Sequence, residues 1–184
     1  MGTITPRTSL DGRYCMSLVH MDIHTIAVGG GVVPSLIVLT THPTDGSDPI
    51  QLPIRIGTVE ATAISMGIEG SPRERPMTHD LFKSVIESLN AHLDAVAIVD
   101  VHGTTFYAQL FLKTESGEAL EIDCRPSDAI ALAVRFGAPI LVDEQALNAA
   151  TLPDFKGVER TEKQQELERF HDFVESLSPS DFSE

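Results

Sequence analysis

Between residues 14 and 27 the chain alternates, with Val19, Met21 and Ile23 on one side and His20, Asp22 and His24 on the other. A repeat of two is the mark of a half-buried strand. Gly29, Gly30 and Gly31 make a loop, and Val32 to Leu39 reads as a second strand, so the glycines join a hairpin rather than open a helix. After a turn rich in Asp, Gly, Ser and Pro over Thr44 to Pro49, Leu52 to Ile56 gives a third strand. The repeat then changes. Thr58 to Ile68 is rich in Ala and Met and nearly free of charge after Glu60, which predicts a buried helix. A loop from Gly70 to Pro76 carries Arg73, Glu74 and Arg75. A second helix follows, with Thr78 as its N-cap and one apolar face made by Leu81, Phe82, Val85, Ile86 and Leu89.

Three more strands are expected at Ala95 to Val101, Thr105 to Lys113 and Ala119 to Cys124, joined at Gly103-Thr104 and Glu115 to Glu118. A helix over Asp128 to Phe136 is closed by Gly137, followed by a short strand over Pro139 to Asp143 and a short helix over Glu144 to Ala150. One local pattern occurs twice. Leu52 to Met66 (LPIRIGTVEATAISM) aligns without a gap to Leu120 to Val134 (LEIDCRPSDAIALAV). Leu52/Leu120, Ile54/Ile122, Ala61/Ala129 and Ala63/Ala131 are identical, and Glu60 faces Asp128 as a matched carboxylate. The reading is an α+β fold of mainly antiparallel strands, with a strand–corner–helix unit duplicated about a pseudo-twofold axis.

Residues 1–13 have no periodicity and read as a loose leader before a domain over 14–150. Residues 151–184 hold nine acids against four bases, and Leu167, Phe170, Val174 and Leu177 recur at helical spacing, so one amphipathic helix is expected there, with 178–184 frayed. The whole chain of 184 residues has a formal net charge of −14. That disfavours passive binding to nucleic-acid phosphates, which rests on Lys and Arg. No run is long and apolar enough to span a membrane, and no basic stretch leads into an apolar one at the N-terminus. A cytoplasmic protein is expected. Cys15 and Cys124 have no metal or redox spacing and read as buried free thiols.

Chemistry is best placed at the two corners. Glu60 and Asp128 stand where a carboxylate meets helix N-terminal amides, which favour its charged form. Arg55 and Arg125 precede them and can pair with the acids or grip a phosphate. Glu60, Asp123 and Asp128 can share a hard divalent cation, which prefers oxygen ligands. The alternative is that these charges are structural caps and ion pairs. In Thr78-His79-Asp80, His79 has the side chain that titrates nearest neutral pH, suiting a general base, or it is simply a solvated first-turn residue beside Asp80. His20 and His24 are too far apart along a strand to share an ion. No phosphate-binding P-loop, zinc-protease or dinucleotide motif is present.

LPIRIGTVEATAI, RPMTHDLFKSVIESLNAHL, GTTFYAQLFL and EIDCRPSDAIALAVRFGAPILV, in this order, closely resemble the bifunctional nuclease domain family over about residues 14–150. The resemblance implies a compact, internally duplicated α+β fold and association as homo-oligomers. It also implies action on RNA or DNA, since plant relatives act on both. Carried over by motif, the site residues are Glu60, His79, Asp80, Asp123, Arg125, Ser127 and Asp128, with Arg55 beside them. The leading expectation is a metal-assisted nuclease. Glu60, Asp123 and Asp128 would hold Mg²⁺ or Mn²⁺, His79 would serve as base or acid, with Asp80, Asp123, Arg125 and Asp128 also counted as catalytic, and Arg55, Arg125 and Ser127 would meet phosphate. The rival is a non-enzymatic oligomeric binding protein; a third option is hydrolysis of a small phosphate ester. The chain departs from the plant relatives, which carry a further C-terminal helical module, by ending in the acidic segment 151–184. Cys124 stands where the motif more often has Ala or Ser.

Overall fold

The computed structural model describes residues 17–30, 33–43, 48–70 and 74–151. The leader, Cys15, Arg73 and the expected C-terminal helix lie outside the described residues. Among the described residues, seven strands and four helices follow one another as β1 (Leu18–Ala27), β2 (Ser35–Thr40), β3 (Gln51–Ile56), α1 (Thr58–Glu69), α2 (Thr78–Ser88), β4 (Ala91–His102), β5 (Thr105–Thr114), β6 (Ala119–Cys124), α3 (Pro126–Phe136), β7 (Ile140–Asp143) and α4 (Glu144–Thr151).

All seven strands form one sheet in the order β3-β2-β1-β7-β4-β5-β6. Every pairing is antiparallel except β4 with β7. The fold is thus α+β and mostly antiparallel, as the patterning predicts. Strand β1 changes partner along its length, with Leu18 to Met21 on β7 and Asp22 to Ala27 on β2. The order runs outward from β7 as β1-β2-β3 on one side and β4-β5-β6 on the other, so the two strands that feed the corners, β3 and β6, are the two edges. Helix α4 touches β3 as well as β4 and β7, so the sheet curls enough to draw an outer strand back toward the middle.

Alternation builds the core. Leu52 and Ile54 of β3, Ile37 and Leu39 of β2, Val96 and Ile98 of β4, and Ala108, Leu110 and Leu112 of β5 are all buried. Helix α3 lies over β4 and β5 and presses Ala129, Ile130, Ala131, Leu132 and Ala133 into that layer. Small side chains let α1 approach α3 closely, since Ala61, Ala63 and Ile64 are its buried positions.

The boundaries are chemical. Pro126 occupies the first position of α3, where its missing N–H costs no hydrogen bond, so this helix starts two residues before the sequence-expected Asp128. Gly137 ends it at φ 66°, and the following Ala138 N–H donates to Ala133 O at 3.0 Å. Strand β4 starts at Ala91, four residues earlier than its hydrophobic pattern suggests, because Asn90 takes φ 53° and turns α2 directly into the sheet.

The apolar face of α2 is the largest departure from expectation. Of its five residues only Ile86 is buried, while Leu81, Phe82, Val85 and Leu89 are exposed. The inward side of α2 is set by polar ties to α3 instead.

Candidate functional site

Helices α1 and α3 each carry their acid at the third residue, Glu60 after Thr58 and Val59, and Asp128 after Pro126 and Ser127. Amide groups of the first helical turn point outward there, and a carboxylate is favoured beside them. Because α1 packs on α3, the two corners meet although their strands are at opposite edges of the sheet.

Arg125, the N-cap residue of α3, joins them. Its Nε donates to Asp128 Oδ2 at 2.7 Å and one terminal nitrogen donates to Asp128 Oδ1 at 3.0 Å. The other terminal nitrogen donates to Glu60 Oε1 at 3.0 Å. This is the bidentate fork on one acid, plus a bond to the second. When Leu52–Met66 is aligned with Leu120–Val134, Gly57 stands opposite Arg125, and a Cβ there would collide with Glu60 Oε2. One guanidinium therefore serves both acids.

Helix α2 adds a histidine. His79 Nε2 lies 3.3 Å from Asp128 Oδ1. Partial burial alone would raise the Asp128 pKa. The hydrogen bonds from Arg125 and His79 and the charges behind them outweigh it, and hold the carboxyl below its ordinary range. An ionised Asp128 only accepts, so His79 donates through Nε2, and a neutral imidazole in that tautomer keeps its lone pair on Nδ1. Arg125 has its pKa raised by its hydrogen bonds to Asp128 and then Glu60, and is a permanent cation. Its side chain is 64% exposed, against 18% for His79.

The other expected residues lie elsewhere or do other work. Asp80 accepts from Met77 N–H at 2.9 Å, closing the first turn of α2, and from Arg135 Nε at 2.6 Å. Ser127 is buried in the first turn of α3. Asp123 is paired in register with Gln109, while Cys124 beside it is paired with the buried Ala108. Successive strand residues face opposite sides, so Asp123 is on the other face of the sheet from the half-buried Cys124 and from α3. Arg55, an exposed residue of β3 opposite Leu36, likewise alternates with the buried Ile54. Burial, then the charges of Asp128 and Asp123, push the Cys124 thiol up to about 12, so it stays protonated and fills space rather than acting as a nucleophile.

The expected cation site is not what this arrangement suits. Glu60 and Asp128 do converge, but around a guanidinium, and Asp123 does not join them. Among the described residues no three His, Cys, Asp or Glu side chains are grouped to hold a metal ion.

Sequence reasoning passed over Arg135. Its side chain is 5% exposed and ties three helices together, reaching Asp80 of α2, Ala63 O of α1 at 3.0 Å and Ala131 O of α3 at 2.8 Å. Lys83 of α2 closes the same seam by donating to Arg135 O at 2.7 Å. The signal was present: Arg135 is the one charged residue in an otherwise apolar helical run from Ala129 to Phe136.

Comparison with known proteins agrees with the motifs. The Bifunctional nuclease domain matches residues 42–154, more than half of the chain. "Uncharacterized protein MT1877" and "Uncharacterized protein Rv1829", from two strains of Mycobacterium tuberculosis, are each 42% identical over 135 residues, covering 71% of this chain and 80% of the relative. All the corner residues described above fall within the matched segment, and the chain belongs to the bifunctional nuclease domain family.

Proposed function

We propose that this protein hydrolyses phosphodiester bonds of RNA or DNA with little sequence preference, at the meeting point of α1, α2 and α3. The observation that carries the reading is the contact of His79 with Asp128 beside an exposed arginine, in a chain of this family. Asp128 orients the imidazole, and Nδ1 is the atom free to take a proton from an attacking hydroxyl or water. Arg125 supplies positive charge where a phosphate would otherwise meet only acids. The surface being acidic overall, substrate would be held locally at this corner rather than along a basic groove.

Purified protein would be given labelled single-stranded RNA and DNA with Mg²⁺, with Mn²⁺ and with EDTA, alongside Asp128→Asn and His79→Ala. Cutting that falls by about a hundredfold or more in both variants supports the assignment, in line with the usual worth of a general base. Equal cutting by all three proteins would sink it.

A second reading is favoured by one observation. Each hydrogen-bonding nitrogen of Arg125 is directed at a carboxylate, as in a structural clamp. On that reading the protein is a non-enzymatic, self-associating binding module. Self-association is supported under either reading by the uncovered apolar stripe of α2 and by Leu120 and Ile122 on the edge strand β6.

A further inference from the structure

We infer that Arg125 is the resident counter-cation of the Glu60–Asp128 pair, and that the pair takes no divalent metal ion while this guanidinium is in place. Three of the four carboxylate oxygens are directed at it, two on Asp128 and one on Glu60. The Asp128 oxygen that remains closest to another group, Oδ1, also meets His79. A Mg²⁺ ion needs oxygens at about 2.0–2.1 Å in near-octahedral array, with no positive group among them. Here the space between the two acids is filled by a permanent positive charge, so an ion would have to expel Arg125 first. The third expected ligand, Asp123, stands on the opposite face of the sheet.

Arg125 fills the space between the acids whether or not the corner hydrolyses phosphodiesters. Without the guanidinium, two carboxylates converge at adjoining helix N-termini with nothing between them. Removing it should create an ion site where the native protein has none.

The test uses the full chain and Mn²⁺ alone as probe, read by the fall in the free Mn²⁺ paramagnetic signal and by thermal unfolding. The native protein should leave the signal unchanged at equimolar Mn²⁺ and unfold at the same temperature in Mn²⁺ and in EDTA. Arg125→Ala should unfold earlier in EDTA, recover in Mn²⁺, and bind the ion about tenfold or more tightly than the native chain. Adding Glu60→Gln to that variant should abolish the gain. Stoichiometric Mn²⁺ binding by the native protein that disappears in Asp128→Asn would overturn the inference, as would an Arg125→Ala protein that folds and gains no affinity. Should Arg125→Ala fail to fold, Arg125→Gln keeps the side-chain length and removes the charge, and the native-protein measurement decides by itself. Because the readout is binding, a protein with no nuclease activity leaves the result interpretable.

Discussion

Arg135 Nε stands 2.6 Å from Asp80 Oδ1, and this contact fixes where His79 can be. Asp80 and His79 are neighbours in the first turn of α2, so anchoring one to α3 aims the other at Asp128 of the same helix. A nearly buried ion pair thus positions a part-buried hydrogen bond.

Replacing Arg135 by Ala takes from Asp80 its buried cation and removes a donor shared by the carbonyls of Ala63 and Ala131. Breaking a buried pair by removing one partner costs about 3–5 kcal/mol. Urea denaturation of Arg135→Ala should show a loss of that order. Arg125→Ala should lose only about 1 kcal/mol, since its guanidinium is largely exposed and screened. Equal losses in the two variants would contradict the division into a buried tie and a surface clamp.

Gly67 gives a second check on the same seam. A Cβ at this position would sit 2.6 Å from a terminal nitrogen of Arg135 and 2.6 Å from Val134 Cγ2. The arginine tip cannot yield cheaply, because that nitrogen already donates to Ala63 O and Ala131 O. Ala favours a helix interior over Gly by about 1 kcal/mol, yet overpacking costs about 1–3 kcal/mol. Gly67→Ala should therefore be neutral to destabilising, with its loss reduced in an Arg135→Ala background, where only the Val134 contact remains. A clear gain in midpoint would show that α1 and α3 have more room than the structure gives them.

Strand alternation and helix caps made most of the fold legible from the sequence. The order Leu52, Ile54 and then an Ala-rich helix predicts β3–α1 with no knowledge of the rest, and Gly137 predicts the end of α3. The acids Glu60 and Asp128 were also legible as first-turn carboxylates. Their meeting was not, because β3 and β6 are at opposite edges of a curled sheet and only tertiary packing of α1 on α3 brings them together. Asp123 shows the opposite limit. Its closeness in sequence to Asp128 suggested a shared ion, but the strand period of two turns it to the other face. On α2 the five apolar residues do form a stripe, but the side that faces inward is decided by His79, Asp80 and Lys83, each of which has a partner on α3.

The depressed pKa of Asp128 gives a sign for the pH dependence. A carboxylate with a folded pKa below its unfolded value stabilises the native state fully above the unfolded value, near 3.8. That contribution is lost as pH falls through the unfolded value toward the folded one. Denaturation of the native protein and Asp128→Asn at several pH values should show their difference in stability constant near neutrality and shrinking below about pH 4. A difference that grows on acidification would mean that Asp128 is not held in its charged form by Arg125 and His79.

The uncovered stripe on α2 makes the last prediction. Leu89 is 71% exposed and Leu81 55%, with Phe82 and Val85 each 44% exposed between them. Four large apolar side chains in and just after one helix, all exposed among the described residues, make a stripe of the kind that marks an interaction surface. On the proposal that a second copy covers it, light scattering should give a multiple of 19.9 kDa for the native chain. Val85→Glu should shift the mass to that of a monomer at micromolar concentration without lowering far-UV helix content, because Val85 is 44% exposed and is not one of the buried core residues. A native chain that runs as a monomer would remove self-association from the reading. An oligomer untouched by Val85→Glu would move its interface away from α2, with β6, the outermost strand among the described residues, as the next place to probe.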